Sequence, residues 1–308
     1  MHLSDALVVG GSFAGLSAAL QLARARRRVT VVDAGAPRNR FAAASHGFFG
    51  QDGTPPLEMI ATARAKLLAY PNVRFVEGRA VRAQAVDGGF AVTLDGGETL
   101  VAAKLLLAFG VADELPAGPA GLQERWGRSV VHCPYCHGYE FGGGPIGVLY
   151  VAPMSLHQAL LVPDWGPTTL FLNGHDAATA IDAPMRDKLR QRGVTIEPAP
   201  LTALEGEGTA LERLRLQDGR ALPVRGLFVA TRTRMASPLA EQLGCAFDDG
   251  PFGPVLRTDA MTKMSSVPGV YAAGDIARVP HNATFASADG VQAGASMHQS
   301  LVFGPLEG

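Results

Sequence analysis

The segment His132-Cys133-Pro134-Tyr135-Cys136-His137 contains the residue types best suited to chemistry. Two cysteines separated by two residues can close a small disulfide or hold one thiolate ready for attack. Pro134 fixes φ and removes a backbone donor. If the turn opens a helix, the helix dipole and free N–H groups lower the thiol pKa. The flanking histidines can carry the proton that thiol chemistry moves. The segment therefore predicts a redox centre with Cys133, Cys136 and His137 as catalytic residues.

Three other uses of this cysteine pair remain open. A structural zinc site needs four ligands, and Cys245 lies far away without a second pair. The stretch from Cys133 to His137 also matches the C-x-x-C-H motif of c-type haem attachment, which requires an exported chain. A purely structural disulfide is disfavoured in a chain with three cysteines and no export signal. Redox chemistry is the favoured interpretation, and no metal ligand set is predicted.

Composition narrows the class of protein. The chain has 308 residues, of which 47% are hydrophobic and 18% charged, which suits a globular protein of two domains. A net charge of −1 argues against nucleic acid as a partner. Apolar runs long enough to span a membrane are absent from the sequence, so no membrane partner is expected. A strand that begins near Leu7 leaves no room for a signal peptide, and a cytoplasmic location is therefore expected.

The N-terminal residues have the pattern of a dinucleotide site. An apolar strand at Ala6–Val9 is followed by a glycine turn, helical spacing over Leu16–Arg27, and a second strand, Val29–Asp33. Glycines permit the tight turn and the close packing of helix on strand, the helix N-terminus receives a pyrophosphate, and Asp33 binds a ribose hydroxyl. Ser12 stands where the motif has its middle glycine. The predicted turn residues are Gly10, Ser12, Phe13, Ala14 and Gly15.

These two motifs resemble those of the low-molecular-weight thioredoxin reductases, which are FAD-dependent pyridine nucleotide–disulfide oxidoreductases. The stretch Gly269–Asp275 resembles the second FAD signature of that family. This similarity implies that Asp275 binds the ribityl chain and phosphates and that Gly274 permits close approach. Ala108–Val111, which includes Gly110, resembles the turn at which the chain leaves the FAD domain.

The resemblance implies an α/β fold of two Rossmann-like three-layer nucleotide-binding domains, the second inserted in the first. The expected FAD-binding domain comprises residues 1–112 and 236–308, and the insert comprises residues 113–235 and carries the cysteine pair. FAD is the implied cofactor and a homodimer the implied assembly. In the family, Cys136 lies nearer the flavin and Cys133 takes the attack of the substrate.

Other flavin contacts are implied by position. In the family, the region of Pro37–Arg40 and Ser45–Gly47 wraps the flavin, so Arg38 or Arg40 could meet a phosphate, with two solvated loop arginines as the alternative. Arg40 and His46 are taken as cofactor-binding residues. The backbone at Val81 is expected to touch the adenine.

The inserted domain departs from the family pattern. Its strand Pro145–Tyr150 is followed by Val151–His157, which has no glycine where a pyrophosphate must approach. After Leu170–Leu172 the family has a basic cluster, but Asn173–Asp176 is neutral to acidic, which is unfavourable for the 2′-phosphate. We therefore expect weak or absent NADPH binding.

Two further departures concern proton transfer. The family often has an aspartate directly after the cysteine pair, and His137 occupies that position here. An imidazole suits deprotonation of a thiol at neutral pH. The family's Arg-Gln pair beside the flavin corresponds to Ala283-Thr284. His298, on an expected last helix at Ser287–Leu301, is either a second base or a packing residue.

Together these departures resemble the dithiol oxidases of natural-product biosynthesis, such as those that close the disulfides of gliotoxin and holomycin. The predicted function is an FAD-dependent dithiol oxidase that takes electrons from a small-molecule dithiol through Cys133 and Cys136 and gives them to oxygen. An NAD(P)H-dependent disulfide reductase is the alternative. A flavin-binding sensor without turnover is a third possibility. The pattern does not distinguish a small dithiol or disulfide from a protein dithiol.

Overall fold

The computed structural model describes residues 4–304. Within that range the strands, numbered β1 to β19 in chain order, are Ser4–Val9, Val29–Asp33, Val73–Glu77, Ala80–Val86, Gly89–Leu94, Thr99–Leu107, Val111–Glu114, Val130–Val131, Ile146–Leu149, Thr168–Phe171, Thr195–Glu197, Leu201–Glu205, Arg213–Leu216, Ala221–Pro223, Gly226–Val229, Arg232–Met235, Phe247–Asp249, Pro254–Leu256 and Val270–Ala272. The α-helices, α1 to α8, are Phe13–Arg24, Pro56–Leu68, Pro134–His137, Met154–Leu161, Ala177–Ala180, Ala183–Gln191, Leu239–Gln242 and Ala283–Phe303.

The chain divides into two compact units. The first comprises residues up to Arg40, then Pro56–Ala112, and the chain from Thr233 onward; the second comprises Phe41–Pro55 and Asp113–Arg232. Two differences from the expected boundaries follow. The chain returns to the first unit three residues earlier, at 233 and not 236, and residues 41–55 group with the second unit although they were expected in the first.

The first unit is built on a seven-stranded sheet. Its strand order is β3-β2-β1-β6-β5-β4, with β19 also paired to β6. Pairs among β1, β2, β3, β6 and β19 are parallel, whereas β4, β5 and β6 form antiparallel pairs. The parallel strands read as nearly continuous apolar runs because helices cover them, and the central residues Val8 and Leu106 have no exposed surface.

Helices α1 and α8 pack against each other at close range. Gly290 and Gly294, one turn apart on α8, lie against the backbone of Ala14 and Ala18 on α1. A Cβ at Gly290 would stand 2.1 Å from the Ala14 carbonyl oxygen, so only glycine permits this approach. The close packing fixes the N-terminal turn of α1 against the sheet.

The second unit has its own parallel sheet, with strand order β11-β10-β9-β15-β8. Helices α4 and α6 pack on one face around residues such as Val148 and Leu170. The antiparallel strands β12, β13 and β14 form a small sheet whose residues Leu204 and Leu214 pack with Leu227 of β15. The predicted α/β class, with two Rossmann-like units of which the second is inserted, is confirmed.

Most predicted elements are present with shifted ends. Helix α1 begins at Phe13, directly after the glycine turn, and ends at Arg24, not Arg27. It ends early because Arg26 adopts φ 60°, outside the helical region. Helix α8 begins at Ala283 because the Asn282 side chain accepts from the N–H groups of Thr284 and Phe285.

The third cysteine lies in the core of the first unit. Cys245 is 6% exposed, and its thiol lies 3.6 Å from the Ser265 hydroxyl. Burial raises its thiol pKa. Across residues 4–304, no helix combines the length and apolar character needed to cross a membrane.

Candidate active site

Cys133 and Cys136 form a disulfide at the start of a one-turn helix in the second unit. Their Cα atoms are 5.3 Å apart. Cys133 is the extended N-cap residue, Pro134 occupies the first helical position, and Cys136 lies in the first turn. The turn continues as a 3₁₀ helix, Tyr139–Phe141. Because α3 is only one turn long, its dipole is small, and more of the proton handling falls on neighbouring side chains.

Two tryptophan side chains pack against residues of this turn. The Trp165 ring packs edge-on against Tyr135, with centroids 5.4 Å apart, and also covers Gly138. His132, which precedes Cys133 in the chain, stacks on Trp126, and its carbonyl oxygen accepts from Gln158 Nε2 at 2.7 Å. The two tryptophans therefore act as packing residues that fix the turn.

His137 lies at the end of α3, one residue after Cys136, and is partly buried. Burial disfavours the imidazolium and lowers the pKa of His137 below its ordinary value; the Glu140 carboxylate opposes this shift, and His46 adds to it. A lowered pKa leaves the imidazole neutral at neutral pH, the form that can accept a proton from a thiol.

His46 lies beside this turn, on the loop formed by residues 41–55. Its Nε2 is 3.4 Å from Oε1 of Glu140, and its Nδ1 is 3.6 Å from Oδ1 of Asp52. Phe41, at the start of the loop, packs against Gly127. These contacts explain why the loop groups with the second unit. A flavin contact by His46 stays a prediction.

In the first unit, the glycine turn packs so closely on neighbouring backbone that Gly10 and Gly15 have no room for a side chain. Gly10 has φ +116°, and a Cβ there would lie 2.2 Å from the Ala108 carbonyl oxygen; at Gly15 it would lie 1.7 Å from the Gly10 carbonyl oxygen. Ser12 has an extended backbone with φ −107°, which a non-glycine residue adopts without strain. The Ser12 side chain makes no capping bond, so it does not occupy the N–H groups of Phe13 and Ala14.

Asp33 lies at the end of β2, where a ribose is expected. One of its carboxylate oxygens accepts from the Gly11 N–H at 3.0 Å. The residue lines a cavity of about 370 Å³ together with Gly35, Arg64, Glu77 and Arg79. The glycine turn and this cavity fit the phosphate and nucleoside portions of FAD.

The second FAD signature brings an acid and a base together within the same unit. Gly274 has φ +81°, and the site of its missing Cβ is 3.1 Å from Ala14 Cβ, so the signature abuts the first turn of α1. Asp275, which follows, forms an ion pair with Arg38 at 3.2 Å. Arg38 Nη1 also lies 2.7 Å from His281 Nδ1.

The remaining predicted residues take separate positions. Arg40 is exposed and donates to the Pro37 carbonyl at 3.0 Å. The Val81 carbonyl accepts from Gln242 Nε2 at 3.1 Å. Gly110 has φ +74°, and its carbonyl accepts from the Ala236 N–H at 3.2 Å. His298 is partly buried on α8. Their roles toward the cofactor or in proton transfer stay predictions.

The sheet of the second unit presents the edge at which a nicotinamide nucleotide would bind, beyond the carboxyl ends of β9 and β10. The N–H of Val151 there donates to the Ser155 hydroxyl at 3.0 Å, and the N–H of Ser155 donates to the Ala152 carbonyl at 2.9 Å. These donors are thus used within the chain.

Side chains at the same edge are also unsuited to a phosphate. Tyr150 and His175 pack edge-on with centroids 5.1 Å apart, and Asp176 caps α5 by accepting from Ala178 N–H. Arg186, which reaches α5, donates to the carbonyls of Ala177 and Ile181. The edge therefore offers an aromatic pair and a carboxylate where a dinucleotide needs glycine and positive charge.

Two residues near the cysteine turn, Glu140 and Asp52, were not predicted from the sequence. Their proximity to the site is shown by their contacts with His46 in the folded chain. The spacing of Glu140, three residues after His137, would have placed both on adjacent turns. Among residues 4–304, no group of three or more potential metal ligands is arranged to hold an ion.

The family described as pyridine nucleotide-disulphide oxidoreductase matches residues 4–290. The curated "Thioredoxin reductase tcpT" of Claviceps purpurea is 35% identical, over 89% of this chain and 87% of its own length.

Solved structures agree in fold. The oxidoreductase from Agrobacterium tumefaciens is 46% identical with a TM-score of 0.91, covering 98% of this chain and 99% of its own. The structure of HlmI is 34% identical with a TM-score of 0.89, covering 97% and 93% respectively. The resemblance to thioredoxin reductase-like flavoproteins is therefore confirmed.

Proposed function

Because the chain belongs to the pyridine nucleotide-disulphide oxidoreductase family, whose thioredoxin reductase-like members are FAD-binding flavoproteins, we propose that it is an FAD-dependent dithiol oxidase. It is a thioredoxin reductase-like disulfide oxidoreductase, and the proposal concerns the direction of electron flow. The observation that supports it most is the edge of the second unit beyond β9 and β10, where the Val151 N–H is bonded to Ser155 and Tyr150 packs edge-on against His175.

The first half of the proposed reaction is thiol–disulfide exchange. His137 takes the proton of an incoming substrate thiol, and the resulting thiolate attacks the Cys133 sulfur. The Cys133–Cys136 bond breaks, and Cys136 leaves as a thiolate. The second substrate thiol then attacks the mixed disulfide, which releases the product disulfide and Cys133. Two electrons have moved from the dithiol to the cysteine pair.

The first unit holds the cofactor in this proposal. The turn from Gly10 to Gly15 binds the pyrophosphate, Asp33 binds the ribose, and Asp275 with Arg38 binds near the flavin phosphates. When bound there, FAD would supply the two-electron acceptor for the reduced cysteines, with oxygen as the proposed final acceptor and hydrogen peroxide as its product. A small-molecule dithiol is the proposed substrate, and a homodimer the proposed assembly.

An anaerobic spectroscopic experiment tests the direction of electron flow. Purified protein is mixed with excess NADPH or with dithiothreitol, and the visible flavin absorbance is followed. We expect bleaching with dithiothreitol but not with NADPH, followed by recovery and peroxide formation when air is admitted. Fast bleaching by NADPH would establish a reductase, the activity named for the Claviceps purpurea relative. Bleaching by the dithiol without recovery in air would instead indicate a sensor.

A further inference from the structure

Glu140 lies between two histidines of the second unit. Its Oε1 is 3.4 Å from Nε2 of His46. It also follows His137 by three residues, on the next turn of the same helical segment, and its charge acts on that imidazole. The Glu140 carboxylate thus contacts the imidazole of His46 and lies three residues from His137, which adjoins the cysteine pair.

The position of His46 is fixed by its own loop. Ser45 and Thr54 form an antiparallel bridge that closes the loop, with the Ser45 N–H donating to the Thr54 carbonyl at 2.9 Å. Inside it, Asp52 accepts from the Gly47 N–H at 2.8 Å and lies against His46 Nδ1. Asp52 therefore lies against Nδ1 of the His46 ring, and Nε2 of the same ring faces Glu140.

We propose that Glu140 and His46, which pair at 3.4 Å beside the cysteine turn, together set the pH at which His137 works as a base. The proposal rests on the proposed function, in which His137 deprotonates the substrate thiol. The Glu140 charge favours a protonated His137, because opposite charges attract, whereas a protonated His46 neutralises part of that charge and repels His137.

The other charged groups around the turn are engaged elsewhere. Asp164, which precedes Trp165, pairs with Arg192 at 2.7 Å. Arg225 packs along Gly144, beyond the 3₁₀ helix that carries Glu140. The His132 ring stacks on Trp126. Glu140 and His46 are accordingly the charges that act on His137, in opposite directions.

The test measures the pH profile of anaerobic flavin reduction by dithiothreitol in the wild type, Glu140→Gln and His46→Gln. Loss of the Glu140 charge lowers the pKa of His137, so the acid limb of the profile moves to lower pH. Loss of His46 removes a repulsive charge, so the limb moves to higher pH. We expect each shift to be on the order of half to one pH unit. Asp187→Asn, which removes an exposed charge paired with Arg190 on α6, is the matched control and leaves the limb in place.

A second measurement separates this proposal from the proposed function. Protein with ¹³C-labelled histidine rings is titrated by NMR, and His137→Gln assigns the His137 signal without any need for turnover. Opposite shifts of that titration in the Glu140 and His46 variants support the proposal, and shifts of the same sign or none overturn it. If His137→Gln keeps the acid limb of flavin reduction, the base role of His137 fails, while the titration still decides whether Glu140 and His46 act on it.

Discussion

Arg38 and Asp275 form an ion pair within the first unit, with Nη1 of Arg38 3.2 Å from Oδ2 of Asp275, although 237 positions separate them in the chain. Their side chains are only 15% and 19% exposed. A carboxylate next to flavin phosphates would repel them unless a cation offsets its charge. Arg38 provides that cation, and the pair therefore connects two distant parts of the sequence at the proposed cofactor site.

Replacement of Arg38 by alanine is expected to weaken FAD binding by about tenfold to a hundredfold, because a hydrogen-bonded charge contributes about 1.5–3 kcal/mol. The measurement is a titration of the apoprotein with FAD, followed by flavin fluorescence. Arg40→Ala is the matched comparison, since Arg40 is exposed and donates to Pro37. A larger loss in the Arg40 variant would favour the original expectation that Arg40 is the phosphate ligand.

Replacement of Cys133 or Cys136 by serine is expected to abolish dithiol oxidation while FAD remains bound. A serine hydroxyl cannot form the disulfide that accepts the substrate's electrons. Oxygen uptake with dithiothreitol measures turnover, and the visible flavin spectrum measures retention. Cys245→Ser provides the control, because Cys245 is a buried free cysteine of the first unit, whereas the pair belongs to the second. Full oxidase activity in either Cys133→Ser or Cys136→Ser would exclude the pair as the redox centre.

Gly138→Ala is expected to destabilise the protein by about 1–3 kcal/mol, the usual range for overpacking. Gly138 has φ −64°, which alanine adopts freely, but an added Cβ would lie 2.6 Å from Trp165 Cγ and 2.7 Å from the Pro134 carbonyl oxygen. The variant should lower Tm and slow reduction of the disulfide by dithiothreitol. Gly96→Ala, at a position with open space, should change neither quantity.

Glu205 makes a contribution to stability that depends on pH. Hydrogen bonds from Arg215 and Arg213 lower its pKa from 4.5 to about 2. A depressed pKa means that the stabilisation is complete above about pH 4.5 and is lost as pH falls toward about 2.

Glu205→Gln tests this dependence by thermal unfolding at several pH values. The variant should have a lower Tm than the wild type at neutral pH, and the difference should narrow as pH falls below about 4.5. Glu207→Gln, two residues further along, is the control for loss of a carboxylate. A difference in Tm that stays constant through this range would contradict the role of ionised Glu205.

The sequence predicted correctly those features that depend on a few neighbouring residues. The strand at Val29–Asp33 has the expected bounds. A run of β-branched residues that ends in an acid defines clearly where a strand begins and ends. The spacing of Cys133 and Cys136 allowed either a disulfide or a reactive thiolate, and the structure contains the disulfide. The ends of α1 were displaced because helical spacing cannot show that Phe13 starts the helix or that Arg26 leaves it.

Tertiary contacts account for what sequence patterns could not provide. The loop at residues 41–55 groups with the second unit through contacts of Phe41 with Gly127 and of His46 with Glu140, and neither pair has a local signature. The helix at the cysteine pair was expected only conditionally, and its single turn reflects the change to 3₁₀ geometry after Gly138. The pairing of Arg38 with Asp275 likewise depends on the folded chain.

Because Cys245 is buried, the number of thiols that react quickly with an alkylating reagent reports whether the Cys133–Cys136 disulfide is reduced. Cys245 is 6% exposed and the pKa of its thiol is raised, so an alkylating reagent at neutral pH reacts with it slowly. Of the three cysteines, the other two are masked from the reagent whenever they are joined. Intact-mass spectra of briefly alkylated protein should therefore contain a species with no adduct, in which the pair is a disulfide, and a species with two adducts, in which it is reduced. The ratio of the two species gives the fraction of molecules with a reduced cysteine pair at the moment of quenching.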